Sequence, residues 1–266
     1  MVNMKQRTIS AVILLILLIG SLIISSKLFG IVMLLVAVLG FNEFFDIKYH
    51  DKSKNKRLKY IKILGIISLI LITLNETFYD IDLRTVILLP LIILSIPIVI
   101  YNDNELYSIN DCMYVLGIVY FLGLSFENII YLRDTQMAKC IFIFIVAFIT
   151  DTYAYIGGSL IGRHKLTTIS PKKTVEGSVI GTVMGVLIGS VYYYNVVGGI
   201  SLSMTILLCL VLTILSEIGD LMFSSIKRYF NKKDYSNLIP GHGGVLDRFD
   251  SVIYVSLGLS LILSMM

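Results

Sequence analysis

What this chain lacks narrows its class first. Only 15% of its 266 residues are charged while 56% are hydrophobic. A soluble globular domain carries roughly a quarter charged residues, so that class is excluded. The three cysteines, Cys112, Cys140 and Cys209, lie within or beside apolar runs and form no C-x-x-C pair. A zinc centre and a disulfide framework are therefore not expected. There is no tryptophan, which leaves anchoring at a membrane interface to the 16 tyrosines, Tyr60, Tyr101 and Tyr131 among them. Alternating polarity, the mark of barrel strands, is missing from the apolar runs. No internal repeat, no Ser-His-Asp or Cys-His nucleophile arrangement and no soluble domain stands out. The net charge of +4 is modest, and nothing points to a nucleic-acid partner.

What is present is a succession of apolar runs, each near the roughly 20 residues needed to cross a hydrocarbon core about 30 Å thick. Backbone groups in lipid must bond internally, so these runs are expected to be helices. The expected spans are 8–25, 28–45, 60–76, 84–101, 111–131, 137–158, 176–195, 200–219 and 250–266. The first two are parted only near Ser25-Ser26-Lys27, which leaves the total at eight or nine. Lys5 and Arg7 precede the first run as in a signal peptide, but no small-residue cleavage site follows, and a retained helix is expected. The expected fold is all-α: a polytopic integral membrane protein of about nine transmembrane helices.

With the N-terminus in the cytoplasm, only Lys27, Arg84, Arg133 and Lys139 of the 22 cations fall outside. That bias supports the orientation and a cytoplasmic-face active site. The basic loop 46–59 reads first as a topology determinant and second as an attractor of anionic lipid heads, worth about 1 kcal/mol per cation. Polar chemistry gathers after residue 150. Residues 1–135 thus read as scaffold and lipid access, and 136–266 as the catalytic region.

Three segments carry that chemistry. In Asp151–Ser178, Asp151 falls near the cytoplasmic end of an apolar run, glycines loosen the chain, and Ser170-Pro171-Lys172-Lys173-Thr174 precedes the next helix. Helix N-terminal amides with two lysines and two hydroxyls suit a polyphosphate. Ser or Thr as plain helix caps, with lysines as a topology signal, is the competing account. Glu217 and Asp220 of Ser216–Asp220 stand three apart, on one helix face. Such acids face protein or water rather than lipid, and a snorkelling pair at a helix end explains them equally well. Ser224–Asp250 is the densest. Ser224, Lys227 and Arg228 share a helix side, Pro240, Gly241, Gly243 and Gly244 force a turn around His242, and Asp247 and Asp250 straddle Arg248.

Together these parts suit metal-assisted nucleotidyl transfer, which asks little of side chains beyond position and charge. Mg²⁺ accepts one or two carboxylates completed by phosphate oxygens and water. Lysine and arginine neutralise a triphosphate and a departing pyrophosphate.

Ser224, Lys227-Arg228, Lys233-Asp234, Ser236, Pro240, His242-Gly243-Gly244, Asp247-Arg248 and Asp250 follow a long, specific signature. The chain here resembles the phosphatidate cytidylyltransferase (CDP-diacylglycerol synthase) family. Asp151-Thr152, Ala154-Tyr155, Gly162-Arg163, Ser170–Gly177 and Gly219-Asp220 are similar to its upstream motifs, so detailed resemblance covers about residues 150–250. Two positions depart: Glu217 stands where the family has Gln, and Val175 where many members have Trp.

The resemblance implies transfer of CMP from CTP to phosphatidate with Mg²⁺, a monovalent cation such as K⁺ beside it, and a homodimer. It implies that Asp220 and Asp247 hold the metal, and that Lys227, Arg228, Lys233 and Arg248 engage phosphates. Ser170, Lys172, Lys173 and Thr174 then cradle the nucleotide phosphates or the lipid head. Ser224 joins the binding set, and Pro240, Gly241, His242, Gly243 and Gly244 lie against the nucleotide. A CTP-dependent lipid-alcohol kinase is the enzymatic alternative. A transporter is the alternative of another class, but one would place ionisable groups near mid-span in repeated halves, a pattern not found here.

Overall fold

The computed structural model describes residues 4–49, 55–101, 107–239 and 243–265. Within them are nine α-helices: α1 (Met4–Ile24), α2 (Ser26–Tyr49), α3 (Lys56–Thr73), α4 (Leu83–Tyr101), α5 (Ile109–Thr135), α6 (Met137–Ile161), α7 (Val175–Tyr192), α8 (Leu202–Tyr229) and α9 (Leu246–Met265). Strand pairing among the described residues is limited to two isolated bridges, Lys165 with Thr174 and Ile239 with Gly243. The all-α expectation holds.

Seven of these helices are long and apolar enough to cross a membrane. The other two are α1, whose described apolar part is Val12–Ile24, and α3. Helix α3 opens on Lys56, Arg57, Lys59 and Lys62, so its first turns are basic rather than apolar. The first two apolar runs are separate helices, parted at Ser25, whose hydroxyl accepts from Leu28 N at 3.1 Å.

The chain folds as two compact units. The first comprises Met1–Asp134 with Tyr235–Val245, the second Thr135–Asp234 with Leu246–Met266. In the first unit, large side chains fill notches left by glycine. Phe41 of α2 packs over Gly65 of α3, and Ile72 of α3 over Gly123 of α5. Pro90 and Pro97 interrupt the bonding of α4. The carbonyls three residues before them, Ile87 and Leu94, accept from the hydroxyls of Tyr120 and Tyr107. Such repair from neighbouring side chains is what lets proline persist in a span.

The second unit packs more closely. Gly177, Gly181, Gly185 and Gly189 recur every four residues along α7 and are all buried. A Cβ at Gly177 would stand 2.9 Å from Gly158 N of α6, and one at Gly181 2.6 Å from Thr150 O. Small residues at this spacing let two helix backbones touch, the main source of helix attraction where lipid removes the hydrophobic drive. On α8, Gly219 similarly admits Tyr254 of α9, and Gly258 of α9 admits Leu215. These contacts draw α6, α7, α8 and α9 close enough for short polar side chains on them to meet.

Candidate active site

Three helices and one loop of the second unit deliver acidic side chains to a single cavity of about 300 Å³. It is lined by Asp151 of α6, Asp220 and Lys227 of α8, Asp234 beyond α8, and Asp247, Arg248 and Asp250 of α9. Asp220, Ser224 and Lys227 follow one another at i, i+4 and i+7, one stripe of the helix surface. Asp247 and Asp250 do the same at the start of α9.

The expected metal pair does share this cavity. Asp220 pairs through Oδ2 with Lys173 and accepts through Oδ1 from Ser224 Oγ at 3.3 Å. Lys227 Nζ donates to Asp247 Oδ1 at 2.6 Å, with 10% and 6% of the two side chains exposed. Ser251 Oγ donates to Asp151 Oδ1 at 3.2 Å, and Ser251 N donates to Asp250 Oδ1 at 2.9 Å.

Lys173 reaches Asp220 from a loop that the backbone itself stiffens. Leu166 N donates to Lys173 O at 2.9 Å and Val175 N to His164 O at 2.9 Å, which folds 164–175 back on itself. Ser170 forms its turn, its carbonyl accepting from Lys173 N at 3.0 Å. Thr174 is the N-cap of α7 and accepts from Gly177 N at 3.1 Å. The capping account of this threonine is therefore the one its bond supports. Glu176 seals the loop by accepting from Arg163 N at 3.0 Å, with His164 Nδ1 2.6 Å from its Oε1.

The remaining expected residues divide. Arg248 lines the cavity, but Arg228 does not. The Arg228 guanidinium donates to Lys232 O at 2.8 Å and Ile169 O at 3.4 Å, tying the end of α8 to the α6–α7 loop. Lys172 and Lys233 are exposed and do not line the cavity. Gly243 and Gly244 belong to the first unit, Gly243 with φ +84° and Gly244 against the carboxylate of Glu43. Pro240, Gly241 and His242 lie outside the described residues.

Three lining acids were absent from the expected set: Asp151, Asp234 and Asp250. Asp151 had a signal in being a lone acid inside an apolar run, and Asp250 in standing three residues from Asp247. Glu217 turns elsewhere despite its spacing from Asp220. It accepts from Thr182 Oγ1 at 3.3 Å and from Ser178 Oγ, both on α7.

Five carboxylates against two cations give the lining a marked excess of negative charge. Among the described residues no three acidic, imidazole or thiol groups form a ready-made metal cage. The donor set fits instead a hard divalent ion such as Mg²⁺, which takes one or two protein carboxylates and completes its shell with water and phosphate oxygens.

A model of the cytidylyltransferase family matches residues 5–266. The chain belongs to that family. It is 32% identical over 260 residues to the phosphatidate cytidylyltransferases of Staphylococcus saprophyticus and Staphylococcus haemolyticus, covering 95% of this chain and 96% of each relative. The phosphatidate cytidylyltransferase of Staphylococcus aureus strain COL is 30% identical over the same share. As a cytidylyltransferase the protein is a nucleotidyl-transferring enzyme, and the transporter alternative falls. For a cytidylyltransferase the cavity is well equipped. It gathers five aspartates, Lys227 and Arg248 in one place.

Proposed function

We propose that the protein transfers CMP from CTP to phosphatidate, producing CDP-diacylglycerol and pyrophosphate for phospholipid synthesis. A non-bridging oxygen of the lipid phosphate attacks the α-phosphorus of CTP. The bond from that phosphorus to the bridging oxygen of the β-phosphate breaks, and pyrophosphate leaves with the electron pair. The attacking phosphate is already ionised, so no general base is required of the protein.

The observation that carries this reading is the charge of the cavity. Both substrates are anions, and a lining of five aspartates, one lysine and one arginine repels them unless positive charge is added. Asp220 and Asp247 would hold Mg²⁺, which when bound supplies that charge to the transferring phosphates. Ser224 orients the Asp220 carboxylate. Lys227 and Arg248 face the phosphates, and Lys173 adds a third cation from the loop before α7. The positive-inside bias supports a cytoplasmic position for the N-terminus and this site, where CTP is available, and a homodimer completes the reading.

Incubating purified protein with CTP, MgCl₂ and phosphatidate tests it. CDP-diacylglycerol and pyrophosphate are the expected products. Release of CDP would assign a γ-phosphoryl transfer to a lipid alcohol instead, and no reaction with phosphatidate would reject the substrate.

A further inference from the structure

Both carboxylates that would hold Mg²⁺ carry a lysine. Lys173 pairs with Asp220 Oδ2, and Asp220 Oδ1 accepts from Ser224 Oγ at 3.3 Å, so both oxygens of that acid are engaged. Lys227 Nζ donates to Asp247 Oδ1 at 2.6 Å. A metal on the same oxygens, at about 2.0–2.1 Å, would set two positive charges side by side. Lysine and metal therefore compete for these aspartates.

The two lysines are fixed at the root and free to swing at the tip. Lys173 O accepts from Leu166 N at 2.9 Å, and Lys173 N donates to Ser170 O at 3.0 Å. Lys227 O accepts from Lys232 N at 2.8 Å. Beyond that anchor each is a single ammonium on a flexible four-carbon stem. Arg228 is the contrast, its guanidinium spent on two backbone carbonyls, Ile169 O and Lys232 O. The side chains of Lys173 and Asp220 keep 26% and 27% exposure, those of Lys227 and Asp247 10% and 6%, so the first pair is the more open.

We propose that Lys173 and Lys227 are exchangeable counter-ions: each ammonium leaves its aspartate when Mg²⁺ binds there and turns to the phosphates of the nucleotide. The proposal rests on the cytidylyl-transfer reading, which supplies the metal pair and the phosphates. One lysine thus opposes the ion and favours the triphosphate, and the binding of the two is coupled through it.

Calorimetry on the full-length protein in detergent tests this without turnover, first with MgCl₂ alone and then with CTP at saturating MgCl₂. Lys173→Met and Lys227→Met are each expected to bind Mg²⁺ about tenfold more tightly than wild type and CTP about tenfold more weakly. MgCl₂ should also raise the thermal midpoint of each variant by more than it raises that of wild type. A lysine with only a structural role would weaken both ligands when removed. Mg²⁺ affinity at or below wild type in a variant overturns the exchange at that lysine, and no Mg²⁺ binding by any of the three proteins overturns it at both. Unchanged CTP affinity overturns the turn to phosphate. Should Lys227→Met fail to fold, Lys173→Met, at the more open pair, decides alone. If the wild-type enzyme makes no CDP-diacylglycerol, the transfer reading fails by itself; tighter Mg²⁺ binding by the variants would still uphold the exchange, and unchanged binding would sink it too.

Discussion

The two units use their acids in opposite ways. In the first, Glu43 is met by a hydroxyl and a backbone amide, so its charge is spent on holding a chain segment. In the second, five aspartates converge on one cavity with two cations among them, and the charge is left to act on something else. Packing differs in parallel. Large side chains over single glycines hold the first unit, whereas a four-residue glycine repeat on α7 brings backbone onto backbone in the second. An acid satisfied by protein donors is architecture; acids gathered beyond the supply of cations are chemistry.

The sharpest way to break that contrast is to remove the excess charge. Asp247→Asn and Asp220→Asn are each expected to abolish CTP-dependent turnover, by about 10³-fold or more, while the protein still inserts and binds detergent as wild type does. Near-normal turnover in both would overturn the metal assignment. Chelation of divalent cations with EDTA should have the same effect on wild type, restored by MgCl₂; activity persisting in EDTA contradicts the charge argument.

Lys227→Met comes next. It breaks the Lys227–Asp247 ion pair and removes a cation from the cavity, so turnover should fall roughly 10²-fold. Thermal unfolding in detergent separates the two consequences: a lowered midpoint reports the lost Lys227–Asp247 ion pair, and the kinetic loss persists below it.

Gly181→Val attacks the packing side. The new side chain meets Thr150 O and the Ala154 methyl, where backbone cannot retreat, and about 1–3 kcal/mol of stability should be lost. A melting temperature equal to wild type would show that the α6–α7 seam is not what assembles the site. The smallest effect is expected of Arg228→Gln, a few-fold in kcat/KM, because this side chain braces the loop through Ile169 O and Lys232 O instead of lining the cavity. A loss as large as that of Asp247→Asn would place Arg228 on the phosphates after all.

Much was legible without coordinates. Scarcity of charge and the length of the apolar runs determined an all-helical membrane chain, because lipid admits so few ways of satisfying a backbone. The spacing of Ser224, Lys227, Asp247 and Asp250 determined which faces would carry polar groups, because helical periodicity is local. The Pro240–Gly244 run announced a turn for the same reason, although its first three residues lie outside the described set.

Other features required the fold. Asp151 lies about seventy residues before Asp220 in the chain, and only the glycine seam of α7 and the close pairing of α8 with α9 bring their helices together. Glu217 and Asp220 look equivalent in sequence, yet one turns to hydroxyls on α7 and the other to the cavity. Thr174 reads as a phosphate ligand or a cap, and its bond to Gly177 N shows that it caps α7. Glu43, an ordinary acid near the end of an apolar helix, gained meaning only when residues some 190 positions later folded onto it. Sequence determines what is local, the period of a helix and its solvent. Which charges meet depends on packing between segments far apart in the chain, and that the tertiary structure alone decided.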